Sequence, residues 1–307
     1  MAGVRDRLGR RAARAYSAGP DLSDALAACR RLAKQNLRSV VSFEWQPRDD
    51  PRLVRDVYVA AAAALGKEPL DAYLSIKASA LDFSRELVLD VARRCHESGI
   101  RMHFDSLAPS VADHTLELAT EALETGAEIG IALPGRWRRS VDDANWAVSN
   151  GVHVRVVKGQ WSDLRGPEPE PREGFLRVID SLAGRARHVA VATHDGVLAR
   201  DALLRLRRRE TPCEAELFLG LPVSASGRAA AAAQAPIRMY VTYGSAVRPP
   251  YSLRAARQDP RILGVVGADI VLGGHKPWFQ LSRRRLYARI ADRVGLRRSG
   301  TARAEQV

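Results

Sequence analysis

Long apolar runs are missing from this 307-residue chain: no stretch of eighteen apolar residues occurs, and the N-terminus MAGVRDRLGRRAARAY lacks the apolar middle of a secretory signal. A soluble chain expected in the cytoplasm follows. Cysteine is scarce as well. Cys29, Cys95 and Cys213 are odd in number and far apart, which argues against a disulfide framework or a close zinc site and leaves the role of small buried hydrophobes. Of 48 basic residues only five are lysines, at positions 34, 67, 77, 158 and 276. The net charge of +13 invites a nucleic-acid partner. Yet acidic residues are mixed among the arginines, and the basic clusters at the first sixteen residues, LRLRRR (204–209) and SRRRLYAR (282–289), do not carry the interleaved aromatics of a single-strand platform. A solvated arginine-rich surface is expected, with no nucleic acid bound and at most peripheral contact with an anionic inner-membrane surface.

What is present is alternation. DLSDALAACRRLAKQN has helical spacing with Asp21 or Ser23 as cap, and SVVSFEW reads as a short buried strand. The pattern then repeats: helix 52–65 and strand YLSIKAS, helix 84–98 and strand RMHFDS, helix 111–125 and strand AEIGIALP, helix 141–149 and strand VHVRVVKG. Helix 172–184 with HVAVATHD, helix 196–208 with CEAELFLG, and helix 224–234 with IRMYVTYG complete it. Eight strands of continuous apolar character alternating with helices predict a TIM-type (β/α)8 barrel of parallel strands buried on both faces. The expected organisation is an N-terminal basic segment and helix over 1–35, the barrel over 36–260, and an extension with a basic helix over 261–307.

In such a barrel chemistry sits where strands end at their C-terminal side. The strand ends here carry Lys77, Asp105, Arg155, Lys158, Thr193, His194 and Tyr240. The segment IRMYVTYGSAVRPPYSLRAARQ (237–258) adds Tyr251 and Arg254, three apart and therefore on one helical face, with Arg257 and Gln258 beside them. Arg254 has the planar fork that a carboxylate needs. A plain packing role competes at each position: Lys77 can pair with Asp105 on the neighbouring strand, His194 can be structural, and Phe218 and Tyr240 can be core aromatics.

LSIKASAL, FDS, VRVVKG, ATHD and RMYVTYG followed by YSLR, in that order, resemble the proline dehydrogenase family, FAD-dependent barrels that oxidise proline to pyrroline-5-carboxylate. The resemblance runs from about Tyr16 to Pro260. It implies that Arg155 and Val157 approach the flavin ring, that Lys158 and Gly159 lie along its ribityl and phosphate portion, and that Thr193 and His194 hold the nucleotide end. It further implies that Lys77, Asp105, Tyr240, Tyr251 and Arg254 surround the amino acid, with Lys77 and Arg254 on the carboxylate and Phe218 and Gln258 as the wall. Electrons would pass to a quinone or another acceptor. The chain departs from the family where it reads Arg254, Ala255 and Gln258 in place of two arginines and a glutamate. It also departs in GIALPGRW, which lacks a glutamine, in Gln160-Trp161-Ser162, and in SFEWQP. The expected substrate is accordingly proline or a related cyclic or secondary amino acid.

Three other chemistries fit parts of the pattern. Lys77 or Lys158 could serve a Schiff-base lyase, His103, Asp105, His153 and His194 could serve a metal-dependent hydrolase, and a barrel without catalysis could serve as a scaffold. The histidine set has no paired histidine on strand one and no aspartate on strand eight to complete it, so no metal is expected.

Overall fold

Eight parallel strands close into a ring in chain order, each hydrogen-bonded to its two neighbours, with β8 returning to β1. The computed structural model describes residues 16–163, 166, 168–221 and 223–244. The expected basic N-terminal segment, Tyr251, Arg254, Gln258 and the expected basic C-terminal helix lie outside the described residues. The first helix, α1 (Leu22–Ala33), packs against β1 (Arg38–Phe43) and β8 (Ile237–Tyr243) through Ala25, Ala28, Cys29 and Leu32. The units between are α2 (Pro51–Leu65), β2 (Ala72–Ile76), α3 (Arg85–Glu97), β3 (Met102–Phe104), α4 (Ala112–Glu124) and β4 (Ile129–Pro134). They continue as α5 (Ser140–Ser149), β5 (His153–Val157), α6 (Pro171–Leu182), β6 (Val189–Ala192), α7 (Gly196–Arg208), β7 (Cys213–Phe218) and α8 (Ser224–Ala232). Helix bounds fall within three residues of those predicted from spacing.

Local chemistry accounts for the starts of the helices. Asp50 accepts from the Arg52 amide ahead of Pro51, Glu170 accepts from the Glu173 amide ahead of Pro171, and Asp195 accepts from the Val197 and Leu198 amides. At α1 the Asp24 carboxylate accepts from the Asp21 amide, so the expected cap position is the observed one. All three cysteines are free and buried, and burial alone pushes the Cys95 thiol up to about 12.

The strands are buried on both faces, but the two faces differ in kind. Val41, Leu74, Ile76, Phe104, Ile131, Val154, Val156, Val191, Ala215, Leu217 and Val241 turn outward into the apolar shell beneath the helices. The axis of the ring is polar. Tyr73, Ser75, His103, Arg155, Glu214, Glu216 and Arg238 are all under a tenth exposed, at alternate positions of their strands. The expectation of continuously apolar strands is corrected here, because the period-two alternation of a barrel strand places every second residue on the axis.

Gly130 shows how tightly that axis is filled. A β-carbon there would lie 2.1 Å from Nδ1 of His103, its register partner on β3, which is itself 1% exposed. Gly130→Ala should therefore destabilise the barrel by about 1–3 kcal/mol through overpacking. Urea unfolding would show it, and an unchanged midpoint would mean that the imidazole has room to move.

Candidate active site at the barrel mouth

At the C-terminal end of the ring four expected residues meet. The Tyr240 hydroxyl donates to Asp105 Oδ2 at 2.7 Å, and Arg155 Nη1 donates to Asp105 Oδ1 at 2.6 Å. Lys77 Nζ stands 3.5 Å from Asp105 Oδ2. The pairing of Lys77 with Asp105 weighed as a structural role is thus present, and it is part of a larger cluster. Phe218 stacks on Tyr240 with ring centroids 5.4 Å apart, and the Arg155 guanidinium carbon lies 5.0 Å from the Tyr240 ring centre.

Five residues of the cluster were not anticipated. Lys77 Nζ also lies 3.2 Å from both Ser42 Oγ and Glu44 Oε1. Ser75 donates to Asp105 at 2.8 Å, Arg155 pairs with Glu216 at 2.6 Å, and Tyr73 accepts from Arg155 Nη2 at 3.0 Å while donating to Glu216. A signal for Tyr73, Ser75 and Glu216 does exist. Tyr73-Ser75-Lys77, Glu214-Glu216-Phe218 and Arg238-Tyr240-Thr242 alternate with apolar residues at the strand period, which marks them as one face.

The charges hold one another. Burial alone would raise the Asp105 carboxyl, but Lys77 and Arg155, with hydrogen bonds from Tyr240 and Ser75, more than offset it and keep Asp105 below its usual value. Burial likewise opposes the charge on Lys77, and its neighbours, Glu44 and Asp105 among them, hold its pKa well above the ordinary one. Lys77 is therefore an ammonium ion at neutral pH. A Schiff-base nucleophile must be a free amine, so this geometry disfavours Lys77 for lyase chemistry.

The remaining expected residues line the rim between β5 and β7. Val157 ends β5 and Lys158 follows it, half-exposed, with Asp195 Oδ2 at 3.7 Å. Gly159 adopts a φ of +96°, and a β-carbon there would fall 2.8 Å from Pro134 Cβ, so this turn requires glycine. Thr193 Oγ1 accepts from the Asp195 amide at 3.2 Å, and His194 Nε2 accepts from the Phe218 amide at 3.0 Å, tying the end of β6 to that of β7. The structural role considered for His194 is present in that bond.

The histidines weighed for metal binding are dispersed. His103 lies within the axis, and His153, at the start of β5, bonds Glu128 and Arg101. Among the described residues no group of three or more His, Cys, Asp or Glu side chains is arranged to hold a metal ion.

Burial, with Arg155 and Arg101 nearby, drives the His103 pKa well below its usual value, and burial takes His188 down to about 4 against the opposing pull of Glu214. His153 is lowered in the same way despite Glu128. Each binds a proton more readily in the unfolded chain. Stability is therefore full above about pH 6.5 and falls as the pH drops toward the folded-state values. His188 alone should remove about 2 kcal/mol between pH 7.5 and pH 5. Urea unfolding at the two pH values measures this, and equal stabilities would mean that these rings are not held neutral.

No family model and no curated protein matches the sequence. Solved structures do match it. Proline utilization A from Bdellovibrio bacteriovorus, inactivated by N-propargylglycine, aligns at a TM-score of 0.66 and 17% identity, covering 92% of this chain and 35% of that one. The chain shares its fold with part of proline utilization A. The enzyme from Corynebacterium freiburgense aligns at 0.62 and 17% identity over 97% of this chain and 35% of its own, and a Bradyrhizobium japonicum mutant at 0.58 and 19% over 88% and 32%. The chain thus spans about a third of the length of the proline utilization A structures. The likeness to proline utilization A is one of fold, and it agrees with the resemblance that the strand-end motifs carry. Among the described residues no helix is long and apolar enough to cross a membrane.

Proposed function

We propose that the barrel mouth binds FAD and oxidises proline or a related cyclic or secondary amino acid to its imine, pyrroline-5-carboxylate in the case of proline. The convergence of Lys77, Asp105, Arg155 and Tyr240 from four different strands carries this reading. Ala132, Pro134, Val157 and Ala192 share the inward parity of Arg155 by strand register, so on β4–β6 the guanidinium is bordered by small, apolar residues. The residues present fit the cofactor.

In this reading Arg155 and Val157 border the ring, Lys158 and Gly159 follow its ribityl and phosphate portion, and Thr193 and His194 meet the nucleotide end. Bound FAD would supply the acceptor for the hydride leaving the carbon beside the substrate nitrogen. The chain's own contribution is position and charge. Asp105, fixed by Ser75, Arg155 and Tyr240, orients Lys77 toward the substrate, and the stacked Phe218 and Tyr240 bound the substrate ring. Arg254 takes the carboxylate, with Tyr251 and Gln258 completing the enclosure. A quinone or another acceptor reoxidises the cofactor.

An absorbance scan of the purified protein, with and without added FAD, is the first test, and no bound or acquired flavin would defeat the proposal. Anaerobic bleaching by proline, hydroxyproline and pipecolate then selects the substrate. Arg254→Ala should lower turnover by about ten- to a hundredfold, the worth of one charge-assisted contact, while flavin stays bound. Full activity in that variant would put the carboxylate elsewhere.

A further inference from the structure

Among the described residues, the charged cluster around Lys77 and Arg155 holds more carboxylate than cation. Lys77 and Arg155 are paired with Glu44, Asp105 and Glu216, a formal sum of minus one for these five groups. The carboxylates are not equally fixed. Asp105 accepts hydrogen bonds from Ser75, Arg155 and Tyr240, and Glu216 is held by Arg155 and Tyr73 with 4% of its surface exposed. Glu44 has only Lys77 as side-chain partner among the described residues, at 3.2 Å. It follows β1 in the chain just after the strand has ended at Phe43, and its side chain remains 24% exposed. Of the groups around Lys77 it is the one that solvent reaches most easily and that fewest bonds restrain.

The resemblance assigns Lys77 a share of the substrate carboxylate, yet that ammonium already faces two carboxylates of the protein. A third anion arriving at Nζ must displace one of them or meet the repulsion of both. We propose that Glu44 is a specificity-determining residue: its carboxylate stands on Lys77 Nζ where a substrate carboxylate would bind, so the mouth disfavours ligands that present an anion to Lys77. The substrate carboxylate is thereby directed away from Lys77, which fixes which end of the amino acid faces that wall. The identity of the substrate rests on the function proposed above; the blocking of Lys77 by Glu44 does not.

The test uses the full chain and the variant Glu44→Gln, with acetate as a bare carboxylate probe and sodium chloride as the control at matched ionic strength. Acetate should raise the melting temperature of Glu44→Gln saturably, by about 2 °C or more beyond chloride. It should do nothing comparable to the wild type or to the double variant Glu44→Gln/Lys77→Met. Should Glu44→Gln fail to fold, Glu44→Asp, one methylene shorter, serves in its place with a smaller shift expected. Equal acetate responses in wild type and variant, or none in a folded variant, would overturn the proposal. In turnover, the ratio of kcat/KM for proline over prolinamide should rise about tenfold in Glu44→Gln, carried by KM, whereas a parallel change for both substrates would indicate a structural role alone and overturn it. Absence of flavin and of turnover would defeat the proposed function while leaving the acetate result standing, so the two failures are distinguishable.

Discussion

Arg155→Ala is expected to cost about 3–5 kcal/mol of folding stability and to abolish flavin uptake, an effect large enough to leave little folded protein at 37 °C. Arg155 is 3% exposed and lies between two carboxylates, buried Glu216 and partly buried Asp105, each at 2.6 Å. It also donates to the Tyr73 hydroxyl. Truncation leaves Glu216 with the Tyr73 bond alone and Asp105 with Lys77 as its remaining cation. Burial favours neutralising both acids once the cation is gone. Arg155→Lys keeps the charge but not the planar fork that reaches Asp105, Glu216, Tyr73 and Ser75 at once, so it should recover only part of the loss. Denaturation midpoints of the two variants, with FAD titrations on whatever remains folded, decide the matter. A wild-type midpoint in Arg155→Ala would mean that the axis readily admits water.

Arg238→Ala should be comparably severe, about 3–5 kcal/mol, for a related reason at the opposite end of the ring. Arg238 donates to Glu214 at 2.6 Å, to Asp71 at 2.8 Å and to the Ser39 carbonyl at 2.9 Å. Glu214 is completely buried, and without Arg238 its cationic contact is Arg38, which is more than a third exposed. Replacing both partners at once, Arg238→Met with Glu214→Leu, removes the charge that would be stranded and should restore most of the loss. Urea unfolding of the two single variants and the double variant forms the cycle. A double variant as unstable as the sum of the singles would show that the pair matters by shape and not by charge.

The order of elements could be read from the sequence because each helix is amphipathic and each strand short, so the alternation shows even where single residues are ambiguous. Lys77, Asp105, Arg155 and Tyr240 were legible for a related reason: they are polar residues where apolar strands end. The polar axis was not legible by the same rule. Counting apolar residues along CEAELF or IRMYVTY gives an apolar strand, and only the alternation separates Glu214, Glu216, Arg238 and Tyr240 from their outward neighbours. Glu44 was missed because it follows a strand whose end spacing alone cannot locate. Its role depends on Lys77, which is remote in sequence and adjacent only once β1 and β2 have paired. Tyr251, Arg254 and Gln258 stand on the sequence pattern alone.

The hydrogen bonds along the ring's axis join residues far apart in the chain. Arg238 reaches back to Ser39 and Asp71, and Thr242 to Tyr16, so these ties are made only after the eighth strand has emerged from the ribosome. A sheet not yet closed would expose an axis studded with charge, a surface that water wets and that resists sticking to other chains. The final closure must match several remote partners at once, which makes it slow and nearly all-or-none.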